Sequence, residues 1–498
     1  MKINELTDKM KSSAGKLIAF HNRKRVEYTF LELHPLVLRG ASYLKQKGFN
    51  RETILGIICS NDLEWVLADL CCLYCGIKLL PLERNDDSHQ YQCDNLKLGG
   101  ILVGNIHYAP PDRLSIPLIK IGEFFDSEVE NFQIDFPAFS YGPRDVLSFK
   151  STSGSTGRPK IIGQSVESVE NSICGIQHLF NHSRQDRILV FLPLSLLQQR
   201  YWLYSAIYYE HTVIIVPYEY LFTALKKEKP TILMGVPHIY ELIYNEFTSI
   251  AKKNSELSLL DYLGGQIRYL WTGSAPIAKE LVSFYFDSNI PLYQGYGMNE
   301  TGIIAKNGPH VNRIGSVGKL FHNMELKFDE EQQILVRSKH PVCHQYELSA
   351  EEDYSRVFRK DGYVATGDIG YIDEDGYLFI NGRIKEMIAL SNSKKIIPSG
   401  IEAKLMAQPV IKRCVVYGDN KPYLTALIIP ESQNILFDTI QQVINNYNES
   451  CKQEEYIYRF FLQYEDFTEF NNLLSNQNKI KRRNILEKFK SEFEKLYE

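Results

Sequence analysis

A chain of 498 residues with 44% hydrophobic and 23% charged residues is long enough for more than one domain, and it has the composition of a globular protein, not a disordered one. A formal net charge of -4 gives no reason to expect nucleic-acid binding. The nine cysteines form no second cluster at metal-ligand spacing, which argues against a thiolate metal centre and fits a reducing compartment, so a cytoplasmic location is expected.

The first residues, MKINELTDKMKSSAGK, are charged and lack the apolar centre of a signal peptide. ILGIICS (54–60) reads as a buried strand. DLEWVLADLCCLYCG reads as the helix after it, with Cys71, Cys72 and Cys75 as buried thiols. DVLSF is a strand that leads into residues 151–160, and RILVFLP and HTVIIVP are further strands. The apolar region around them is interrupted by Pro193, Gln198, Gln199, Arg200, Glu210 and His211, so it falls short of the roughly 20 residues of a membrane span. At most peripheral membrane contact is expected. PTILMGVP is a strand, HIYELIYNEFTSIAKK a helix, and IRYLWTGS a strand that ends in a small-residue turn. Strand followed by helix, repeated, predicts an α/β fold with layers built on largely parallel sheets.

Beyond about residue 310 the pattern changes. RIGSVGKL, MELKFDEEQQILVRS and YIDEDGYLFINGR predict short strands with turns such as Glu374-Asp375-Gly376 between them, hence a β-rich module. After Arg383, KRCVVYGD and YLTALIIP predict strands, and RRNILEKFKSEFEKLYE predicts one charged helix. These form a separate small α/β unit, with a boundary near 383–386.

The stretch STSGSTGRPK (151–160) follows a strand. Gly154 and Gly157 let backbone approach a ligand closely, Ser and Thr hydroxyls donate, and Lys160 adds positive charge. These are the parts of a phosphate cradle, although no Gly-Lys-Ser/Thr closes it as in the P-loop. On these residues alone, a solvated linker reads equally well. Glu300 follows a Gly-Tyr-Gly turn in LYQGYGMNETG, Asp368 and Arg383 end a hairpin-like segment, and NKIKRRN (478–484) concentrates basic residues. Singly, each also reads as a surface carboxylate, a structural ion pair or a solvated helix face.

Taken in this order, the chain resembles the adenylate-forming superfamily of acyl-CoA synthetases, peptide-synthetase adenylation domains and luciferases. The resemblance runs from YTFLELHPLVLRGASYLKQKGFN to the end of the chain. It is nearest to long-chain fatty acid–CoA ligases, in LPLSLLQQRYWLY, KPTILMGVPHIYELIY, SNSKKIIPSGIE, GDNKPYLTALIIP and NKIKRRNILEKFKSEFEKLY.

The resemblance implies an N-terminal AMP-binding domain (1–382), itself two α/β layered subdomains plus the β-rich module. A hinge (383–385) and a small mobile α/β C-terminal domain (386–498) complete the expected organisation. The implied reaction is ATP-dependent activation of a carboxylic acid, fatty or otherwise hydrophobic, to acyl-AMP, then thioester formation with coenzyme A. The implied partners are that small acid and coenzyme A or an acyl carrier protein.

Thr152, Ser153, Gly154, Ser155, Thr156, Gly157 and Lys160 would hold the β- and γ-phosphates. Gly273, Ser274 and Ala275 of TGSAPI lie on the adenine side, with Tyr296 packing on adenine next to Gly297. Glu300 would bind Mg²⁺ beside Asn299, and Asp368 with Arg383 would hold the ribose. Lys479 would reach the α-phosphate and carboxylate, with Lys481 and Arg482 as runners-up. Lys385 would be the hinge residue, and the loop 390–402 would serve the thiol step. Leu196, Val236 and Gly273 are the expected acyl-pocket residues.

Four positions depart from the family pattern. Asn299 replaces the usual Thr but keeps a donor and an acceptor. Ile161 and Ser393 replace glycines, and Leu196 stands where many relatives have His. Ser393 motivates an alternative acceptor, the pantetheine of a carrier protein, or a reaction that stops at acyl-AMP. The departures together leave a nucleotide-binding homologue without catalysis as a third reading.

Overall fold

The computed structural model describes residues 1–83, 89–106, 108, 116–125, 136–153, 159–349, 356–468, 470–474 and 480–498. ILGII (Ile54–Ile58) is a strand flanked by turns. The helix Leu63–Cys75 after it starts where the Asp62 side chain accepts from Trp65 N and stops at Gly76, whose φ of 73° is left-handed. Every residue from Leu63 to Tyr74 is buried, so this helix is enclosed on all sides and must lie inside the molecule.

Two layered sheets form the larger body. In the first, Leu118–Lys120, Gly100–Val103, Ile54–Ile58, Lys78–Pro81, Val146–Ser153 and Pro159–Ser165 lie side by side, parallel except for the last pair. The second has a parallel centre of Lys16–His21, Thr212–Ile215, Arg187–Val190, Ile232–Gly235, Tyr269–Thr272 and Leu292–Met298. Antiparallel strands, among them Lys24–Thr29 and Gly302–Lys306, close its edges.

The two-residue period of a strand divides the core. Ile188, Val190, Val213 and Ile215 face inward and join Leu55, Ile57 and Leu102 of the other sheet in one apolar cluster. Leu189 and Ile214 face the opposite way and pack with Tyr240, Ile243 and Tyr285. The helices Leu63–Cys75, Val166–Phe180 and Leu197–Tyr209 fill the space between the sheets.

Inside that space is a buried ion pair. Arg200 Nη1 meets Asp69 Oδ1 at 2.9 Å, with side chains 1% and 4% exposed. Arg200 Nη2 also donates to Ser148 Oγ at 2.8 Å, and Tyr204 OH donates to Asp69 Oδ2 at 2.7 Å. The arginine that breaks the apolar run in the sequence is thus a brace between two helices and the strand Val146–Ser153.

The β-rich module is the antiparallel sheet Met324–Phe328, Gln333–Ser338, Val364–Ile372 and Leu378–Arg383. RIGSVGKL contributes less strand than expected, only Lys319–Leu320, because Gly315 and Gly318 take left-handed φ values of 85° and 97°. The last unit has its own cores on a sheet of Ile411–Tyr417, Leu424–Pro430 and Ile457–Leu462. Its tail is two helices, Arg482–Lys488 and Lys490–Lys495, and not one. Phe489 leaves helical geometry between them at φ -105° and ψ 23°, and its ring packs in the core with Ile485 and Phe493.

The architecture is α/β with a large N-terminal part and a smaller C-terminal one, as expected. Cys71 and Cys72 are buried free thiols, and burial pushes the Cys75 thiol up to about 12. Among the described residues, no helix is long and apolar enough to cross a membrane.

Arg200→Leu leaves the Asp69 carboxylate buried without its counter-charge and should cost about 3–5 kcal/mol of stability. Arg200→Leu with Asp69→Leu should recover a large share of that loss. Urea unfolding of the single and double variants compares them, and equal midpoints would show that the two charges are not coupled.

Candidate functional site

The strands Val146–Ser153 and Pro159–Ser165 pair antiparallel out to Ser153↔Pro159. The pairing therefore carries the chain up to both sides of the Ser/Thr/Gly stretch, as a hairpin and not as a linker joining separate units. Gly154, Ser155, Thr156 and Gly157 lie outside the described residues, and of Thr152 and Ser153 only the backbone is described.

Lys160 is described, with its Nζ 5.2 Å from the centroid of the Tyr346 ring. Tyr346 OH donates to Glu300 Oε1 at 2.8 Å. One tyrosine thus brings the loop lysine and the metal-binding candidate to opposite parts of its own side chain. Tyr346 is held there by backbone: Ile161 N donates to Leu348 O at 2.9 Å, and Glu347 N donates to Ile161 O at 2.8 Å. Ile161 itself is fully buried against Phe149, Ile101 and Leu80. An apolar side chain stands where the family commonly has glycine because the position faces a core.

Glu300 and Asn299 sit in the tight turn between Leu292–Met298 and Gly302–Lys306. A Cβ on Gly297 would stand 2.2 Å from Gly302 O, and Gly302 has a left-handed φ of 71°. Both glycines are therefore needed to hold this turn. The Gly273-Ser274-Ala275 turn follows the neighbouring strand Tyr269–Thr272. A Cβ on Gly273 would meet Gly295 O at 3.1 Å, and Ser274 is left-handed at φ 70°.

Asp368 and Arg383 are direct partners across their hairpin, with Arg383 Nε donating to Asp368 Oδ1 at 2.8 Å. Tyr296 OH donates to Asp368 Oδ2 at 2.5 Å. Burial first, and the Asp368 carboxylate second, hold the Tyr296 hydroxyl protonated far above the ordinary tyrosine range. The tyrosine expected against adenine therefore ends on the carboxylate expected to bind ribose. Arg383 remains 60% exposed while Asp368 is 7% exposed, so the arginine presents the pair to solvent.

The residues fit the groups that the resemblance implies. Glu300 offers a half-buried carboxylate with Oε2 unpartnered among the described residues. Mg²⁺ bound with substrate phosphates needs one or two such carboxylates and no closed protein cage. Thr272 Oγ1, fully buried one residue before Gly273, also has no partner among the described residues.

Lys479 lies outside the described residues. Both of its runners-up are engaged within the C-terminal unit. Lys481 Nζ donates to Asn472 Oδ1 at 2.6 Å, and Arg482 grips both oxygens of Glu402 and donates to Val416 O at 3.1 Å. Lys385 is exposed in the short 3-10 turn Ile384–Glu386. Ser393 sits in the turn between Ile388–Ala389 and Lys395–Ile396 with a left-handed φ of 66°.

Leu196 and Val236 each pack against the outer core of the second sheet. The internal cavity lies elsewhere, on the inner face, with Trp202, Trp271 and Ile303 among its walls. Sequence reasoning missed these three. Their signal is position: Trp271 precedes the TGSAPI turn and Ile303 follows GYGMNETG.

The family model of the AMP-binding enzymes matches residues 8–340, and that of the AMP-binding enzyme C-terminal domain matches residues 385–498. The chain is 29% identical to the long-chain-fatty-acid–CoA ligase FadD15 of Mycobacterium tuberculosis, over 70% of this chain and 68% of that one. It is 23% identical to the fatty acyl-CoA synthetase A of Dictyostelium discoideum, over 100% of this chain and 90% of that one. The o-succinylbenzoate CoA synthetase of Bacillus subtilis shares its fold at a TM-score of 0.79 and 20% identity, covering 97% of each chain. The chain belongs to the AMP-binding enzyme family and is an adenylate-forming acid–thiol ligase.

Proposed function

We propose that the protein activates a hydrophobic carboxylic acid, a fatty acid or one of similar character, with ATP and transfers the acyl group to coenzyme A. The observation that carries this reading is the meeting of Lys160 and Glu300 on Tyr346 beside the hairpin 146–165. A cation and a carboxylate held together at a backbone-rich turn suit a polyphosphate and its metal ion.

In this reading the loop 152–157 and Lys160 hold the β- and γ-phosphates, Asn299 contacts the phosphates, and Glu300 would hold Mg²⁺. The metal ion offsets charge on the departing pyrophosphate. Gly273, Ser274 and Ala275 let the nucleotide approach the strand ends, Gly297 holds the Glu300 turn, and Tyr296 borders the base. Asp368 accepts from the ribose hydroxyls, oriented by Arg383 and Tyr296. The substrate carboxylate attacks the α-phosphate, pyrophosphate leaves, and Lys479 stabilises the oxygens of the crowded phosphorus centre.

The domain division at 1–382, 383–385 and 386–498 belongs to this proposal. Rotation about Lys385 would withdraw Lys479 and present the 390–402 loop, and the thiol would then displace AMP from the acyl carbon. A carrier-protein pantetheine is the second candidate acceptor. It is favoured by the Ser393 side chain standing at a left-handed position where glycine fits without strain.

The deciding experiment is pyrophosphate exchange and AMP release with a panel of acids, with and without coenzyme A. Exchange with no acid would defeat the reading. Lys479→Ala should abolish acyl-AMP formation, yet it should still convert supplied acyl-AMP and coenzyme A to thioester.

Tyr346→Phe removes the hydroxyl from Glu300. A hydrogen bond to a charged group is worth about 1.5–3 kcal/mol, so exchange should fall roughly 10- to 100-fold. The magnesium concentration for half-maximal rate should also rise, and a magnesium titration reads this directly. Ser393→Gly removes the side chain and the strain together, and should speed thioester formation from acyl-AMP by severalfold while leaving pyrophosphate exchange unchanged. Single-turnover assays separate the two steps.

A further inference from the structure

The short helix His89–Leu96 lies between the strands Lys78–Pro81 and Gly100–Val103 in the chain and covers the hairpin that carries Lys160. Its Cys93 and Leu96 pack in one apolar cluster with Phe149 and Ile161, which belong to the two strands of that hairpin. Directly paired residues of an antiparallel ladder share a face, as do residues two apart on one strand. The register sets Phe149 opposite Gly163 and Ser151 opposite Ile161, so these four residues lie on the face that the helix covers. Phe149 and Ile161 are apolar and Gly163 has no side chain. Among the four, Ser151 alone brings a polar side chain.

Gln92 of the helix meets that hydroxyl. Its side chain is 1% exposed, and Nε2 donates to Ser151 Oγ at 3.3 Å. Its Oε1 is buried and has no partner among the described residues. A buried amide with half of its capacity unmet weakens the fold, whereas a leucine in this cluster would pack without that cost. Packing therefore does not account for the amide.

What the amide supplies is direction. Apolar contact presses the helix onto the hairpin but does not fix where along the strand it rests. A hydrogen bond does, because it weakens steeply with distance and angle. Thr152, the residue after Ser151, has Lys160 as its partner across the pair. Ile161, opposite Ser151, makes the backbone bonds to Glu347 and Leu348 on either side of which Tyr346 is set. The same strand is gripped three residues earlier, at Ser148, by Arg200. An odd spacing puts Ser148 and Ser151 on opposite faces, so the strand is held from both sides.

We infer that Gln92 is a positioning residue for the adenylating step: through Ser151 it sets the strand end and, across the pair, Lys160. The inference rests on the acid-activating reading, in which this hairpin holds the β- and γ-phosphates. The thiol step starts from acyl-AMP, which has neither phosphate. Gln92 should therefore matter to one half-reaction and not to the other.

Two assays on the full chain separate the cases. Pyrophosphate exchange, with whichever acid of the panel supports it best, reads the first half-reaction. Thioester formation from supplied acyl-AMP and coenzyme A reads the second. Gln92→Leu keeps an apolar contact and removes the amide. Loss of one neutral hydrogen bond corresponds to about three- to tenfold, so the KM for ATP in exchange should rise by that factor with kcat little changed. The rate of thioester formation by Gln92→Leu should equal that of the unaltered protein. Ser151→Ala should raise the same KM, and the double variant should be no worse than the worse single one, because all three lack the same bond. Gln92→Met, closer in length to glutamine, takes the place of Gln92→Leu where a thermal melt shows that variant to be unfolded.

Equal losses in both half-reactions would make Gln92 a residue of general stability and overturn the inference. An unchanged KM for ATP would also overturn it, and so would additive losses in the double variant. All three results leave acid activation standing. Exchange with no acid by the unaltered protein would overturn the acid-activating reading, and this inference with it.

Discussion

The pairing of Arg200 with Asp69 is the constraint on which the larger body depends. Two charges withdrawn from water are tolerated only when their remaining hydrogen-bonding capacity is met, and here Ser148 and Tyr204 meet part of it. The pair fixes three elements to one another: the helix Leu63–Cys75, the helix Leu197–Tyr209 and the strand Val146–Ser153. That strand runs into the hairpin that carries Lys160, and that second helix carries Trp202 at the cavity. A shift in the brace would move the lysine and the cavity wall relative to each other. Catalysis by positioning is sensitive to displacements of this kind.

The candidate site is assembled from the ends of separate sheets, and tyrosines span the gaps. Tyr346 joins the first sheet's hairpin to the Glu300 turn of the second. Tyr296 joins the second sheet to the β-rich module through Asp368. A tyrosine suits this work because its ring packs while its hydroxyl reaches a carboxylate. Glycines do the complementary work of close approach. Gly297 admits the Gly302 carbonyl, and Gly382 admits Ile397 and Ser399, which a Cβ would meet at 2.3 and 2.8 Å.

These two devices were unequally legible in the sequence. Buried β-branched runs such as ILGII and TVII carry their own strand signal, and turn glycines stand out because few residues replace them. Asp368 and Arg383 were legible as the ends of a hairpin, and they prove to be paired across it. Tyr346 was not legible. It lies 46 residues from Glu300 in an irregular segment whose place is set by backbone bonds to Ile161. Trp202 and Trp271 look like ordinary core residues until the packing of two helices against a strand leaves a space between them. The tail misled for a related reason: Ile485, Phe489 and Phe493 keep helical spacing, yet the chain breaks helix at Phe489. Periodicity reports which residues face inward and is blind to a local change in backbone at one of them.

The same separation between local pattern and tertiary partner bears on the basic residues of NKIKRRN. From sequence, three of its cations, Lys479, Lys481 and Arg482, compete for one role. In the fold, Arg482 is fixed to Glu402, and Glu402 also accepts from Val416 N at 2.7 Å, so this arginine is part of the C-terminal core. Burial weighs most on the Arg482 guanidinium and disfavours its charge, yet the attraction and hydrogen bonds of Glu402 prevail and hold it more firmly charged than an ordinary arginine. Removing it to reach a distant phosphate would strand a buried carboxylate, a cost that no productive cycle repeats at each turnover. Glu402 also closes the segment 390–402. One ion pair therefore ties Arg482, three residues past Lys479, to Glu402 at the end of the loop 390–402, and the rotation proposed above would carry the two together.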